Sequence, residues 1–450
     1  MPLDIPRNSG DNRRFSYSEP LLAIAAMFGS AFCRRQSFAV IADGKSVNFR
    51  LVKLALCSLM IGPVVLLAAQ AGLAQSPMAA ADSQAPEVST PAEIEDTFLQ
   101  ASGFHAHFEG SSKMSDPASE VVRRDQVVSV PHFTSSFAFQ GKTFPFTVVG
   151  RTPQTGQTAH IPTQIIPISL YFEGYADEQG NPITLDIEPR IPAVLNSPNF
   201  RAAVYPTGFT QFADAVQRAQ FFRVMSPEWH TLLDAPKVLR TVNIDVPRGS
   251  ATLYRMRSSG AIFAVVDEGF FISQLNTILQ FENLNVSGLP IALTNNVFLA
   301  PKAEIRRCCV LGFHTSFDAG ESENLRLVQT FVWASWVDPG IFGSTVTDVT
   351  ALSHEISEWF NDPFSINAVP EWQFPNAGNG CQTNLETGDP MSAFPHAGYP
   401  VIIEGTTYHP QNETLLQWFQ RKTPSDAYDR AYSFPDETLL TAAAQSCGPR

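Results

Sequence analysis

His354, Glu355 and Glu358 are the residues whose types and spacing point most directly to chemistry. They stand in the run Asp348-Val-Thr-Ala-Leu-Ser-His354-Glu355-Ile-Ser-Glu358-Trp359-Phe-Asn-Asp362-Pro363. In a helix, residues four apart lie one above the other, so His354 and Glu358 share a face and Glu355 lies to one side. An imidazole and a carboxylate one turn apart can hold a metal ion, and a glutamate after the first ligand can take a proton from ion-bound water. The common zinc helix, His-Glu-x-x-His, has a second histidine where this chain has Glu358. A carboxylate there makes the site harder and more anionic. One divalent ion is expected, zinc first, with calcium and manganese left open. A solvated acidic helix with a surface histidine has the same local pattern.

The helix itself is legible. Val349, Leu352, Ile356, Trp359 and Phe360 share one face at about 100° per residue, which predicts a core behind the helix and a polar site in front. Thr347 or Ser344 is expected to cap its start, and Asn361-Asp362 before Pro363 ends it. Downstream, Gly380-Cys381-Gln-Thr-Asn-Leu-Glu386-Thr-Gly388-Asp389-Pro390 supplies two more carboxylates with a glycine between them. Such a loop can return a carboxylate to an ion held by a helix. Glu386 is the first choice for a third ligand, because Gly388 frees the turn and Asp389 can then brace His354 or bind in its place. Asp362, one turn beyond Glu358, is a further option, although its position beside Pro363 suits helix termination equally.

These elements together resemble a group of secreted bacterial and fungal zincin-like proteins. There the helix reads His-Glu-hydrophobic-small-Glu, ends in Asp-Pro, and is followed by Glu-x-Gly-Asp. The resemblance spans residues 293–419. It implies His354 and Glu358 as ligands, Glu355 as general base, and Glu386 or Asp389 as the remaining acidic ligand. It also implies an α+β fold, with a mixed sheet packed against helices that include a buried metal-site helix. A strand over 290–299 would be the sheet edge that receives extended substrate. The reaction implied is peptide hydrolysis. Two readings of another class stand beside it. One is a non-catalytic exported protein with a structural ion. The other is a carbohydrate-binding module using Trp372, Trp418 or Tyr408 as exposed aromatics.

The rest of the chain sets the frame. Arg50 and Lys53 precede an apolar run over 54–69, and Gly72-Leu73-Ala74 follows as a small-residue cleavage site, the layout of a secretory signal. An uncleaved membrane anchor is the alternative, weakened by Pro63 and the short run. We therefore read 1–74 as leader and signal peptide, 75–130 as a flexible polar segment, 131–425 as the zincin-like domain and 426–450 as a tail. The destination is extracellular or periplasmic. The chain carries 30 Lys and Arg against 43 Asp and Glu; eight and four of these lie in 1–74, which leaves 22 and 39, a net charge of -17. That argues against nucleic acid or an anionic membrane as partner. A peptide or protein substrate fits, and the oligomeric state is open. His105 and His107 alternate as in a strand but have no third ligand near them.

Strands are expected over 144–149, 164–172, 242–246, 261–266, 309–317 and 327–337, and helices over 199–224 and 270–281. His314, in Gly312-Phe313-His314, reads first as a core or edge histidine; its functional alternative is to orient a carboxylate or substrate. Four cysteines follow residue 74. Because adjacent cysteines rarely bond, one of Cys308 and Cys309 is expected to pair with Cys381 or Cys447. No Gly-rich phosphate loop and no Gly-x-Ser-x-Gly elbow is present. N-terminal sequencing of the secreted protein should find it starting near Gln75; a start at Met1 would refute cleavage.

Overall fold

The computed structural model describes residues 88–95, 127–322, 324–343, 346–375, 380–392 and 394–447. The leader and signal segment, His105, His107 and the proposed cap Ser344 lie outside them. The chain divides into two units, Met1–Ala81 and Asp82–Arg450, and all the described residues belong to the second. Among the described residues no helix is long and apolar enough to cross a membrane.

The fold is mixed α+β. Its main sheet runs Lys237–Val238, Thr163–Ala176, Leu289–Asn295, Leu325–Phe342, Gly312–Ser322. Leu289–Asn295 is parallel to both neighbours, with Ile291 opposite Ile165 on one side and Val332 on the other. Every residue of that strand is buried, as expected for a parallel strand covered on both faces. The strand expected as a substrate-receiving edge is therefore central. It also ends earlier than its apolar run, because Asn296 takes a left-handed φ of 53°, a conformation asparagine tolerates. There the chain leaves the main sheet. Val297–Ala300 joins a second sheet ordered Ala92–Ile94, Ala251–Met256, Ile262–Asp267, Val297–Ala300. The Asn296 side chain secures the step: its amide donates to the Ile262 carbonyl and Asp338, and its oxygen accepts from the Asp338 N–H.

The helix expected over 199–224 forms only as Phe212–Gln220; a hairpin, Ala203–Tyr205 with Gly208–Thr210, takes the earlier residues. Pro206 and Gly208, the latter at φ 132°, explain the break. The helix Glu268–Phe281 begins two residues before its apolar pattern does, capped by Asp267, whose carboxylate accepts from the Phe270 N–H at 2.9 Å.

The helix carrying His354, Glu355 and Glu358 spans Thr350–Asn361. The expected cap Thr347 does not operate through its side chain. The Thr350 hydroxyl instead donates to the Thr347 carbonyl and accepts from the Thr347 N–H. Val349, Leu352, Ile356, Trp359 and Phe360 enter one core with Ile291, Leu293, Val332 and Ala334 of the sheet. Beyond Pro363, Ala368–Gln373 pairs antiparallel with Cys381–Asn384. A second core around Trp372, Trp418 and Phe419 holds this hairpin against the end of the chain.

The disulfides differ from the expected pairing. Cys308 bonds Cys309, with Cα atoms 3.1 Å apart, and Cys381 bonds Cys447. The reason is location. Cys308 and Cys309 are buried with the main sheet, whereas Cys381 stands on the outer hairpin, where the Cys447 sulfur lies 3.4 Å from the Trp372 carbonyl oxygen. In the loop-entropy account, closing a loop of this 66-residue separation stabilises the fold by about 4 kcal/mol.

Gln220 ties three segments together. Its amide donates to Asn361 at the end of the site helix, and its oxygen accepts from the Leu416 N–H. Gln220→Ala leaves both partners buried and unpaired. It should cost about 3 kcal/mol, read as a lower denaturant midpoint at unchanged slope.

Candidate metal centre

The site is built where one sheet strand, one helix and two loops meet. His314 lies on the edge strand Gly312–Ser322, opposite Val332 in an antiparallel register. Strand alternation places it on the Val332 face, the same face on which the helix packs, while Phe313 turns to the opposite face of the sheet, into a separate core with Phe271 and Trp333. Two positions before it, Gly312 gives the helix room. A Cβ there would come within 2.6 Å of the Glu355 side chain.

On the helix, His354, Glu355 and Glu358 face away from the apolar core, yet all three are buried. The helix therefore has a core on both sides, one apolar and one ionisable. His354 Nε2 is 3.1 Å from Glu358 Oε2, 3.9 Å from Asp389 Oδ1 and 4.0 Å from Glu355 Oε1. His314 Nδ1 is 3.4 Å from Glu355 Oε2 and 3.6 Å from Glu358 Oε2; its Nε2 is 4.0 Å from Glu386 Oε2. Donor atoms around a tetrahedral zinc ion stand about 3.3 Å apart, so these separations bracket those of a ligand set. Within this cluster, two groups have donor atoms within 4.8 Å of one another: His354, Glu355 and Glu358, and His314, Glu358 and Glu386.

The loops reach the helix through defined hydrogen bonds. Glu358 Oε1 accepts from the N–H groups of Gly388 and Asp389 at 3.0 and 3.3 Å. Gly388 has an ordinary φ, and what excludes a side chain is the imidazole, since a Cβ would lie 2.3 Å from His354 Nδ1. Gln411 donates through its amide to the Gly388 carbonyl and through its backbone to Ser353 on the helix. Asp389 accepts from the Gln382 amide at 2.8 Å. Glu413, two residues beyond Gln411, adds a further buried carboxyl, on which Glu358 and Asp389 act as like charges. Asp362 has a different task. Its two oxygens accept from the Ile366 and Asn367 N–H groups, both at 2.9 Å, and close the turn after the helix.

Burial and like charge set the protonation. Burial foremost, then Glu358, Asp389 and Glu413, pushes the Glu355 carboxyl well above the usual range. Burial and then Glu358 do the same to Glu386 and Glu413. Burial also works to raise Glu358, but His354, His314 and the Gly388 N–H outweigh it and hold this carboxyl below its ordinary value. Burial depresses the His314 imidazole to about 4, with His354 adding to that and Glu358 and the Asp362 backbone opposing it. One carboxylate is thus kept ionised against two imidazoles, while three others resist ionisation unless a cation joins them.

The structure brings His354, Glu355, Glu358, Glu386 and Asp389 together. Glu386 stands beside His314, and it is Asp389 that faces His354. His314 and Glu413 were missed as members of the cluster. The Gly-x-His spacing before the helix was the one signal for His314; Glu413 had none, because only tertiary packing turns it inward. Trp372, Trp418 and Tyr408 are buried, so the exposed aromatic platform expected of a carbohydrate-binding module is not formed by them. No protein-family model, no curated protein and no solved structure matches the chain.

The shifts fix a pH dependence. Glu355, Glu386 and Glu413, raised in the fold, keep protons that the unfolded chain releases, so without metal stability falls as pH rises above their ordinary 4.5. His314, depressed, and Glu358, lowered, act oppositely, but both contributions are complete above 6.5, the ordinary histidine value. Above pH 6.5 the three carboxyls decide. Chelator-treated protein should melt at progressively lower temperature as pH rises from there, and added zinc should flatten the slope.

Proposed function

We propose that this chain is an exported metal-dependent hydrolase, a peptidase in the first instance, with one divalent ion at His354, Glu358 and an acidic residue of the 386–389 loop. Zinc is the ion the nitrogen and oxygen donors suit first. The observation that carries the reading is Glu355. It lies in the cluster beside both histidines, yet its Oε1 has no hydrogen-bond partner, and Asp389 Oδ1, 3.9 Å from His354 Nε2, offers an ion an acidic donor in its place. Bound to these residues, a divalent ion would make water acidic and polarise a carbonyl. Glu355, ionised beside that cation, would be the group to accept a proton from the water and return it to the leaving group. Glu358, fixed through Oε1 by two backbone N–H groups, keeps Oε2 directed at His354. His314 places a neutral ring between Glu355 and Glu386. Two carboxylate ligands donate more charge than two imidazoles, so the water is less acidic and the activity belongs at alkaline pH. The acidic mature chain and the secretory layout of residues 50–74 support action outside the cytoplasm.

A purely structural ion is the second reading, and one observation favours it. No member of the cluster is more than 3 % exposed, and structural sites are closed. Glu355→Gln separates the two. For a hydrolase it should lower turnover by about 10²–10⁴-fold on a peptide library while metal content and melting temperature stay unchanged. For a structural site it should change little, whereas His354→Ala should remove the ion and lower the melting temperature. Absence of stoichiometric metal in the purified protein, with no stabilisation by zinc, manganese or calcium, would overturn both.

A further inference from the structure

We infer that the buried cluster holds two divalent cations that share Glu358, the second being held by His314 and Glu386. This deepens the metal-centre reading and rests on it. The donors fall into two sets rather than one. His354 and Glu355 belong to the first and His314 and Glu386 to the second; Glu358 is common to both, and among the described residues neither set contains both histidines. A carboxylate shared between two donor sets is the arrangement that lets two ions sit about 3.5–4 Å apart.

Glu386 supplies an independent sign that something belongs beside it. Its side chain is buried, and Oε2 has no hydrogen-bond partner. That oxygen faces His314 Nε2 across 4.0 Å, too far for a hydrogen bond and suited to two donors on one ion. The first set does not need Glu386, because Asp389 Oδ1 already stands 3.9 Å from His354 Nε2. Nitrogen from one histidine per position suits zinc or manganese over calcium.

Metal analysis of the mature wild-type protein, loaded with manganese and freed of excess by gel filtration, tests the proposal without reference to activity. The expected result is two manganese ions per chain, with a spin-coupled electron paramagnetic resonance signal. Glu386→Gln and, separately, His314→Gln should each retain one ion and show an uncoupled six-line signal. One uncoupled ion in the wild type overturns the second position, whether or not the variants fold, and leaves the proposed function intact. Two ions unaffected by either variant overturn the assignment to His314 and Glu386. A wild type that binds none overturns this inference and the metal-centre reading together.

Discussion

Burying several carboxyl groups beside two imidazoles is the constraint on which the rest of this structure depends. Each ionised group loses its hydration, and the low dielectric around it magnifies both attraction and repulsion. The fold answers with the few neutralising contacts available inside the chain. Glu358 receives two backbone N–H groups and faces both histidines. Glu355, Glu386 and Glu413 keep protons or need cations. An isolated exposed helix of the same sequence would carry none of these burdens, so the burial itself is the functional information.

Holding such a cluster closed requires the surrounding loops to be fixed from both sides. The turn after the helix is fastened by Asp362 and by Asn367, whose amide donates to the Thr147 and Asn361 carbonyls. The segment from Tyr408 onward is fastened to the helix start, where His409 pairs with Asp348 and the Thr350 hydroxyl donates to the His409 carbonyl. Gln411 then bridges helix and Gly388. The outer hairpin is anchored by its own aromatic core and by the Cys381–Cys447 bond. Residues outside the cluster are therefore what determine where its histidines and carboxyl groups stand.

The local patterns were readable because they obey short-range rules. The helical period of Val349, Leu352, Ile356, Trp359 and Phe360 and the stop at Pro363 fix the metal-site helix to within two residues, and β-branched runs mark the strands at 144–149 and 242–246. The errors came where tertiary context decides. Nothing local distinguishes a central parallel strand from an edge, so Leu289–Asn295 was placed at the rim. The apolar spacing around Phe209 looked helical, but Pro206 and Gly208 turn that stretch into a hairpin. His314 is 40 residues from His354 in sequence and meets it only through strand register. The vicinal pairing of Cys308 and Cys309 follows from two sheets and a hairpin keeping the other cysteines elsewhere, which no spacing rule encodes.

Gly388 gives the site an address in sequence space. Most fixed glycines report a backbone angle, and any chain with the same turn would share them. This one reports the position of an imidazole, because His354 occupies the space that a Cβ would need. Gly312 does the same for Glu355 from the opposite wall. A pattern of Gly-x-His, then His-Glu-x-x-Glu, then Glu-x-Gly-Asp thus encodes a mould as well as its contents. Chains that keep the acids and histidines but replace either glycine must pack the centre differently, however closely their ligand residues agree.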